Sequence, residues 1–226
     1  DEFVGFLEGW RGLVEDKTMK LDLESVAGIL PRGGTILRTS RTNPAKHEDG
    51  LDRCVAAMSK HKIDALIAIG GDDTLSVASK LNDRGVKVVG VPKTIDNDLA
   101  GTDFTFGFDT AVNVATSAID RVHTTAEAHN RVIVVEVMGR DSGWIAAYSG
   151  IAGGADVILV PEEPFDVDKV AELIRQRHGR GRYFSIVVVA EGAKFAGGAE
   201  MHDGAPVLQD VGRDEFGHLR LGGIGT

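Results

Sequence analysis

Ile69-Gly70-Gly71-Asp72-Asp73-Thr74 closes an apolar run that opens at Ile63, and this junction sets the architecture. The run over 63–69 is rich in β-branched and aliphatic residues, which predicts a strand. Two glycines then let the backbone turn sharply. Beyond them Leu75, Ala78 and Leu81 recur at helical spacing, which predicts a helix over 74–83. The same alternation repeats along the chain. Apolar runs at 86–91, 132–137, 157–160 and 186–190 predict further strands, apolar nearly throughout as parallel strands covered on both faces would be. Helices are predicted over 48–61 (Leu51, Val55, Met58), 109–128 (Val112, Ala115, Ile119, Val122) and 166–178 (Val167, Val170, Leu173, Ile174), the last capped by Asp166. Strand alternating with helix predicts an α/β fold of two Rossmann-like lobes with largely parallel, doubly wound sheets flanked by helices. The periodicity breaks at 101–107, so the lobes are expected to be 1–107 and 108–226. Ligands of such sheets bind beyond the carboxyl ends of the strands.

Composition narrows the function classes. The 226 residues are 42% hydrophobic and 26% charged, enough for a buried core. A net charge of -9 argues against a broad nucleic-acid-binding surface. The single cysteine, Cys54, falls on a predicted helix, cannot form an internal disulfide and reads as a small core residue in a reducing, cytoplasmic setting. No apolar run reaches the roughly 18 residues of a membrane span. The chain opens Asp1-Glu2-Phe3 and stops at Gly222-Gly223-Ile224-Gly225-Thr226 in mid-phrase, which predicts a piece of a longer protein.

Four strand ends carry candidate chemistry. At Gly70 to Thr74 the glycines allow close approach of a ligand and the helix start offers N–H groups to an anion. Carboxylates there would repel a bare phosphate, so Asp72 points to a bridging Mg2+; the plainer alternative is that Asp72 and Asp73 cap the helix. Val91-Pro92-Lys93-Thr94-Ile95-Asp96-Asn97-Asp98 places three polar acceptors beside a cation. Asp96 there is suited to accept a hydroxyl proton, against the alternative of a turn rich in Asx residues. Met138-Gly139-Arg140-Asp141-Ser142-Gly143-Trp144 follows another strand, with Arg140 suited to a phosphate or a transferring phosphoryl group. Arg131, which opens that strand, reads alone as a solvated arginine. Glu191 ends the run at 186–190, where a carboxylate can bind sugar hydroxyls. His123 and His129 lie six apart, a poor metal pair, and read as solvated or partner-facing. Glu162, Glu163, Asp166 and Asp168 read as a solvated helix start.

Together these words resemble the phosphofructokinase family, over nearly the whole chain; the most specific are Gly70-Gly71-Asp72-Asp73-Thr74, Pro92-Lys93-Thr94-Ile95-Asp96-Asn97-Asp98 and Glu136-Val137-Met138-Gly139-Arg140. The resemblance implies that Asp72 holds Mg2+ and that Asp96 takes the proton from the 1-hydroxyl of fructose 6-phosphate. Thr94 and Asp98 would line the same pocket. Met138, Gly139, Arg140 and Glu191 would bind the sugar phosphate, and Arg131 would serve a neighbouring subunit of a homo-oligomer. The family normally opens with a Gly-rich phosphate loop upstream of Asp1, and further sugar-phosphate contacts follow the position of Thr226. Lobe 1–107 is then the donor-binding lobe without its first strand, and 108–226 the fructose 6-phosphate-binding lobe without its last part.

The donor is read at two positions. Nucleotide-using members generally have Gly where this chain has Asp73. A carboxylate about 4 Å from the α-phosphate of ATP repels it by roughly 4 kcal/mol at an effective dielectric near 20, on the order of a thousandfold in affinity. Pyrophosphate ends before that point, and Lys93 suits a small donor of concentrated charge. The Asp73 and Lys93 pair therefore resembles the pyrophosphate-dependent type. The alternatives are an ATP-dependent 6-phosphofructokinase and a catalytically silent phosphosugar-binding subunit. Lipid and NAD kinases share a Gly-Gly-Asp-Gly word but leave Pro92 to Asp98 and Met138 to Arg140 unexplained.

Overall fold

In a computed structural model the chain is described over residues 2–196, and it divides into two compact units, one running to Val91 and the other starting at Pro92.

The first unit opens with β1 (Phe3–Phe6), α1 (Trp10–Glu15) and β2 (Thr18–Leu21); β1 and β2 pair antiparallel, with Phe3 opposite Leu21. This antiparallel pair departs from the mostly parallel pattern expected. Each strand has four residues, too few for a periodicity to show. A single 3-10 turn at Pro44–Lys46, whose Ala45 N–H bonds the Asn43 side chain at 3.0 Å, leads into α2 (Gly50–Lys60). Lys62, at φ 53°, reverses the chain into β3 (Leu66–Gly70), which is followed by α3 (Asp72–Asn82) and β4 (Val88–Thr94). Trp10, Leu13, Cys54, Met58, Val77 and Leu81 form the core. Cys54 is 0% exposed, as a small core residue should be, and burial pushes its thiol up to about 11.

Strand β3 packs only one face. Leu66, Ala68 and Gly70 are buried, whereas Ile67 and Ile69 are 55% and 56% exposed. The expected double cover is therefore absent here. α2 and α3 pack on the Leu66 and Ala68 side, and the alternate residues point away from them.

In the second unit Lys93 and Thr94 of β4 pair in parallel with β5 (Phe106–Gly107), completing the sheet order β3-β4-β5. Gly107, at φ 116°, starts α4 (Phe108–His129), which ends where Asn130 takes a left-handed conformation. Then come β6 (Val132–Val137), α5 (Trp144–Ala152), β7 (Val157–Leu159), α6 (Val167–Gly179) and β8 (Ser185–Ala190). Asp166 caps α6 as expected, its carboxylate accepting the Asp168 N–H at 2.9 Å. The sheet order is β6-β8-β7, all parallel. Central β8 is buried at all six positions and fits the two-sided reading, whereas β6 leaves Val134 57% exposed. His123 is half-buried rather than freely solvated: its Nε2 lies 2.7 Å from the Gly153 carbonyl and its ring meets Phe184 edge-on. The architecture is α/β, with helices flanking mostly parallel sheets. Among the described residues no helix is long and apolar enough to cross a membrane.

Candidate active site

In the first unit, β3 delivers Gly70 and Gly71 directly to the start of α3. A Cβ on Gly70 would lie 2.5 Å from the Thr74 side chain, so only glycine lets the helix begin this close to the strand. Asp72 and Asp73 occupy the first turn of α3, Asp72 exposed and Asp73 half-buried. Gly71, at the cap position, makes no side-chain capping bond. Carboxylates are favoured there by the positive end of the helix dipole. The Ser76 hydroxyl donates to the Asp73 carbonyl at 3.0 Å and closes the turn.

In the second unit, the loop after β4 is held by side chains. The Thr94 hydroxyl donates to Asp96 Oδ2 at 3.1 Å and accepts the Asp96 N–H at 3.2 Å. Asn97 sits at φ 54°; its Oδ1 accepts the Thr105 N–H at 2.9 Å and its Nδ2 donates to the Asp103 carbonyl at 3.3 Å. Thr105, 5% exposed, donates its hydroxyl to the Thr94 carbonyl at 2.7 Å. Lys93 and Asp98 remain exposed on either side of Asp96, which is half-buried.

The parallel register of β6 and β8 supplies the rest. Val137 lies opposite Ala190, so Met138, Gly139 and Arg140 leave the sheet at the same edge as Glu191. The two segments are stitched together there: Glu191 N–H to the Val137 carbonyl at 2.9 Å, Gly192 N–H to the Gly139 carbonyl at 3.0 Å, and Gly139 N–H to Glu191 Oε1 at 3.5 Å. Gly139 adopts φ 144°, and a Cβ on it would lie 2.5 Å from the Ser142 carbonyl oxygen. Arg140 is half-buried, and its Nε is buried without a hydrogen-bond partner among the described residues. The Ser142 hydroxyl donates to the Asp96 carbonyl at 2.9 Å, joining this edge to the loop after β4. Arg131 is not part of the cluster. It is exposed and immediately precedes β6, at the other end of a six-residue strand, roughly 20 Å of chain from Met138.

The sequence reading gives no role to Ser142, Asn97 or Thr105, and reads Glu162 as part of a solvated helix start. Glu162 is exposed, and its carboxylate also accepts the Gly143 N–H at 2.9 Å, which adds it to the frame of this edge. Its signal was its place just past the apolar run at 157–160, the same kind of position that singled out Glu191.

The phosphofructokinase family profile matches residues 1–226. The chain belongs to the phosphofructokinase family. It is 58% identical over 225 residues to a pyrophosphate–fructose 6-phosphate 1-phosphotransferase of Amycolatopsis methanolica, covering 100% of this chain and 64% of that protein. It is 52% identical to ATP-dependent 6-phosphofructokinase 3 of Streptomyces coelicolor, covering 99% and 64%. The chain thus spans about 64% of the length of the curated phosphofructokinases it matches. Among solved structures, Pichia pastoris phosphofructokinase in the T-state superimposes with a TM-score of 0.80 at 34% identity, covering 86% of this chain and 23% of that one. A pyrophosphate-dependent phosphofructokinase from Marinobacter aquaeolei gives 0.76 at 26% identity, covering 86% and 53%.

Proposed function

We propose that the full-length protein containing this chain transfers a phosphoryl group from pyrophosphate to the 1-hydroxyl of fructose 6-phosphate. The carrying observation is the buried, unpartnered Nε of Arg140, at the strand edge shared with Glu191 and tied to the Asp96 loop. A buried guanidinium N–H without an acceptor costs free energy unless an anion fills the site. A phosphorylated sugar brings that anion together with hydroxyls for Glu191.

In this proposal Asp96 is the base. Its Oδ2 is oriented by the Thr94 hydroxyl, and it takes the proton as the sugar oxygen attacks. Arg140 and Lys93 offset the charge building on the transferred group. Met138, Gly139 and Glu191 hold the sugar, and Thr94 and Asp98 line the pocket. Arg131, set apart from this edge, serves the sugar phosphate of a neighbouring subunit in a homo-oligomer. Lobe 1–107 binds the donor and lobe 108–226 binds the sugar phosphate. The enzyme works in the cytoplasm.

The residues present fit a Mg2+ ion. Asp72 is an exposed carboxylate in the first turn of α3, and Mg2+ characteristically takes one or two carboxylates plus phosphate oxygens and water. When bound there, it would neutralise donor phosphate charge and polarise the phosphoryl group. Asp73 selects the donor by opposing the α-phosphate of a nucleotide, while Gly70, Gly71 and Thr74 shape the turn around pyrophosphate. The ATP-dependent relative at 52% identity keeps ATP as the second reading. A coupled assay with each donor in turn decides between them. Turnover with pyrophosphate well above that with ATP is expected, and turnover with ATP alone would reject the choice of donor.

A further inference from the structure

We propose that Ser142 is a positioning residue that sets the orientation of Asp96 relative to Arg140; the inference rests on the reading of Asp96 as the base. Ser142 and Asp96 are 46 residues apart in sequence, and the Ser142 hydroxyl donates to the Asp96 main-chain carbonyl at 2.9 Å. That bond fixes the backbone of the residue whose side chain accepts the proton. The other end of the residue is already fixed, because Thr94 holds both the Asp96 N–H and its Oδ2. With its amide, carbonyl and carboxylate all engaged, Asp96 keeps little freedom to swing.

The Ser142 side of the bond is equally rigid. Gly139 folds back so closely on Ser142 that no Cβ fits between them. A Cβ on Gly143 would collide with Val160, and the Gly143 N–H is held by Glu162. A Cβ on Gly192 would collide with the Arg140 carbonyl. Residues 139–143 are therefore a stiff bracket built on β6 and β8. Its hydroxyl transmits the position of that bracket, and of Arg140 within it, to the Asp96 loop. Placing a base within hydrogen-bond reach of a hydroxyl proton demands alignment of this kind. Loss of the hydroxyl should loosen the base while leaving the sugar contacts of Met138, Gly139 and Glu191 in place.

The test uses the full-length protein with Ser142→Ala and Ser142→Thr. Steady-state kinetics with fructose 6-phosphate and pyrophosphate should show kcat about three- to tenfold lower for Ser142→Ala, the size of one lost hydrogen bond. KM for the sugar phosphate should change less than twofold (roughly, by the same reasoning). Ser142→Thr, which keeps the hydroxyl, should recover most of the loss. An unchanged kcat in Ser142→Ala, or a fall that Ser142→Thr does not reverse, overturns the proposal. Deuterium exchange over residues 94–98 is the readout that does not depend on turnover. Faster exchange in Ser142→Ala, with residues 186–190 unaltered, is expected, and no change there overturns the tie even if the wild-type protein turns over neither donor. Wild-type inactivity would instead count against the function proposed above.

Discussion

The Gly70–Thr74 turn and the Lys93–Asp98 loop both follow a strand, yet they are held in opposite ways. The first is shaped by a missing side chain: with no Cβ, Gly70 abuts the Thr74 side chain and the helix starts at once, leaving the Asp72 carboxylate exposed. The second is shaped by side chains: Thr94, Asn97, Thr105 and Ser142 all hold groups of the loop. A turn fixed by its main chain can change the charge it displays without losing its form. A loop fixed by hydroxyls and an amide cannot change those groups without losing its aim. In the function proposed above, the first segment serves the donor and the second the proton transfer.

The sharpest way to break the comparison is at Asp96. Asp96→Ala should lower kcat by about 10²- to 10⁴-fold, the range for loss of a general base, while calorimetry still shows fructose 6-phosphate binding. Near wild-type turnover would remove Asp96 from that role. Asp73→Gly tests the other half. It should raise use of ATP relative to pyrophosphate, by up to about a thousandfold if the charge repulsion acts in full. No gain in ATP use would show that charge at this position does not choose the donor.

The smallest effect belongs to a third site, at the carboxyl ends of α1 and α2. Asp16 pairs with Lys60 and with His61, whose Nε2 lies 2.5 Å from Oδ1. The Lys60 ammonium, and then His61, hold the Asp16 carboxyl below its usual range. A lowered folded value means that this contribution to stability is complete above the ordinary aspartate range and fades as pH falls through the lowered value. Asp16→Asn should therefore flatten the acid limb of the thermal stability curve below about pH 4, modestly because the pair is solvent-screened. Kinetics at neutral pH should not change; a loss there would tie the proposed donor site to this pair.

How far the residues announced all this depends on range. The Gly70–Thr74, Pro92–Asp98 and Met138–Arg140 words are contiguous, so composition and order expose them, and the strand-then-helix alternation placed each at a strand end. The locks are not contiguous: Ser142 reaches back 46 residues, Glu162 19 and Thr105 11. A hydroxyl that tertiary folding brings to a carbonyl looks like any other hydroxyl in the chain. Burial was legible for the same local reason only in part. The run at 186–190 and the run at 63–69 are both apolar, but neighbours cover β8 on both faces and β3 on one, and neighbours are not written in the run itself. The short β1 and β2 were lost because four residues carry no period.

The thiol of Cys54 gives the molecule a built-in clock. It is fully enclosed in the core of the first unit and holds its proton until about pH 11, so an alkylating reagent at neutral pH finds neither access nor a thiolate. Modification must wait for that unit to open, and its rate follows that opening. Whether pyrophosphate slows the tick while fructose 6-phosphate leaves it unchanged can then be followed with no reaction taking place.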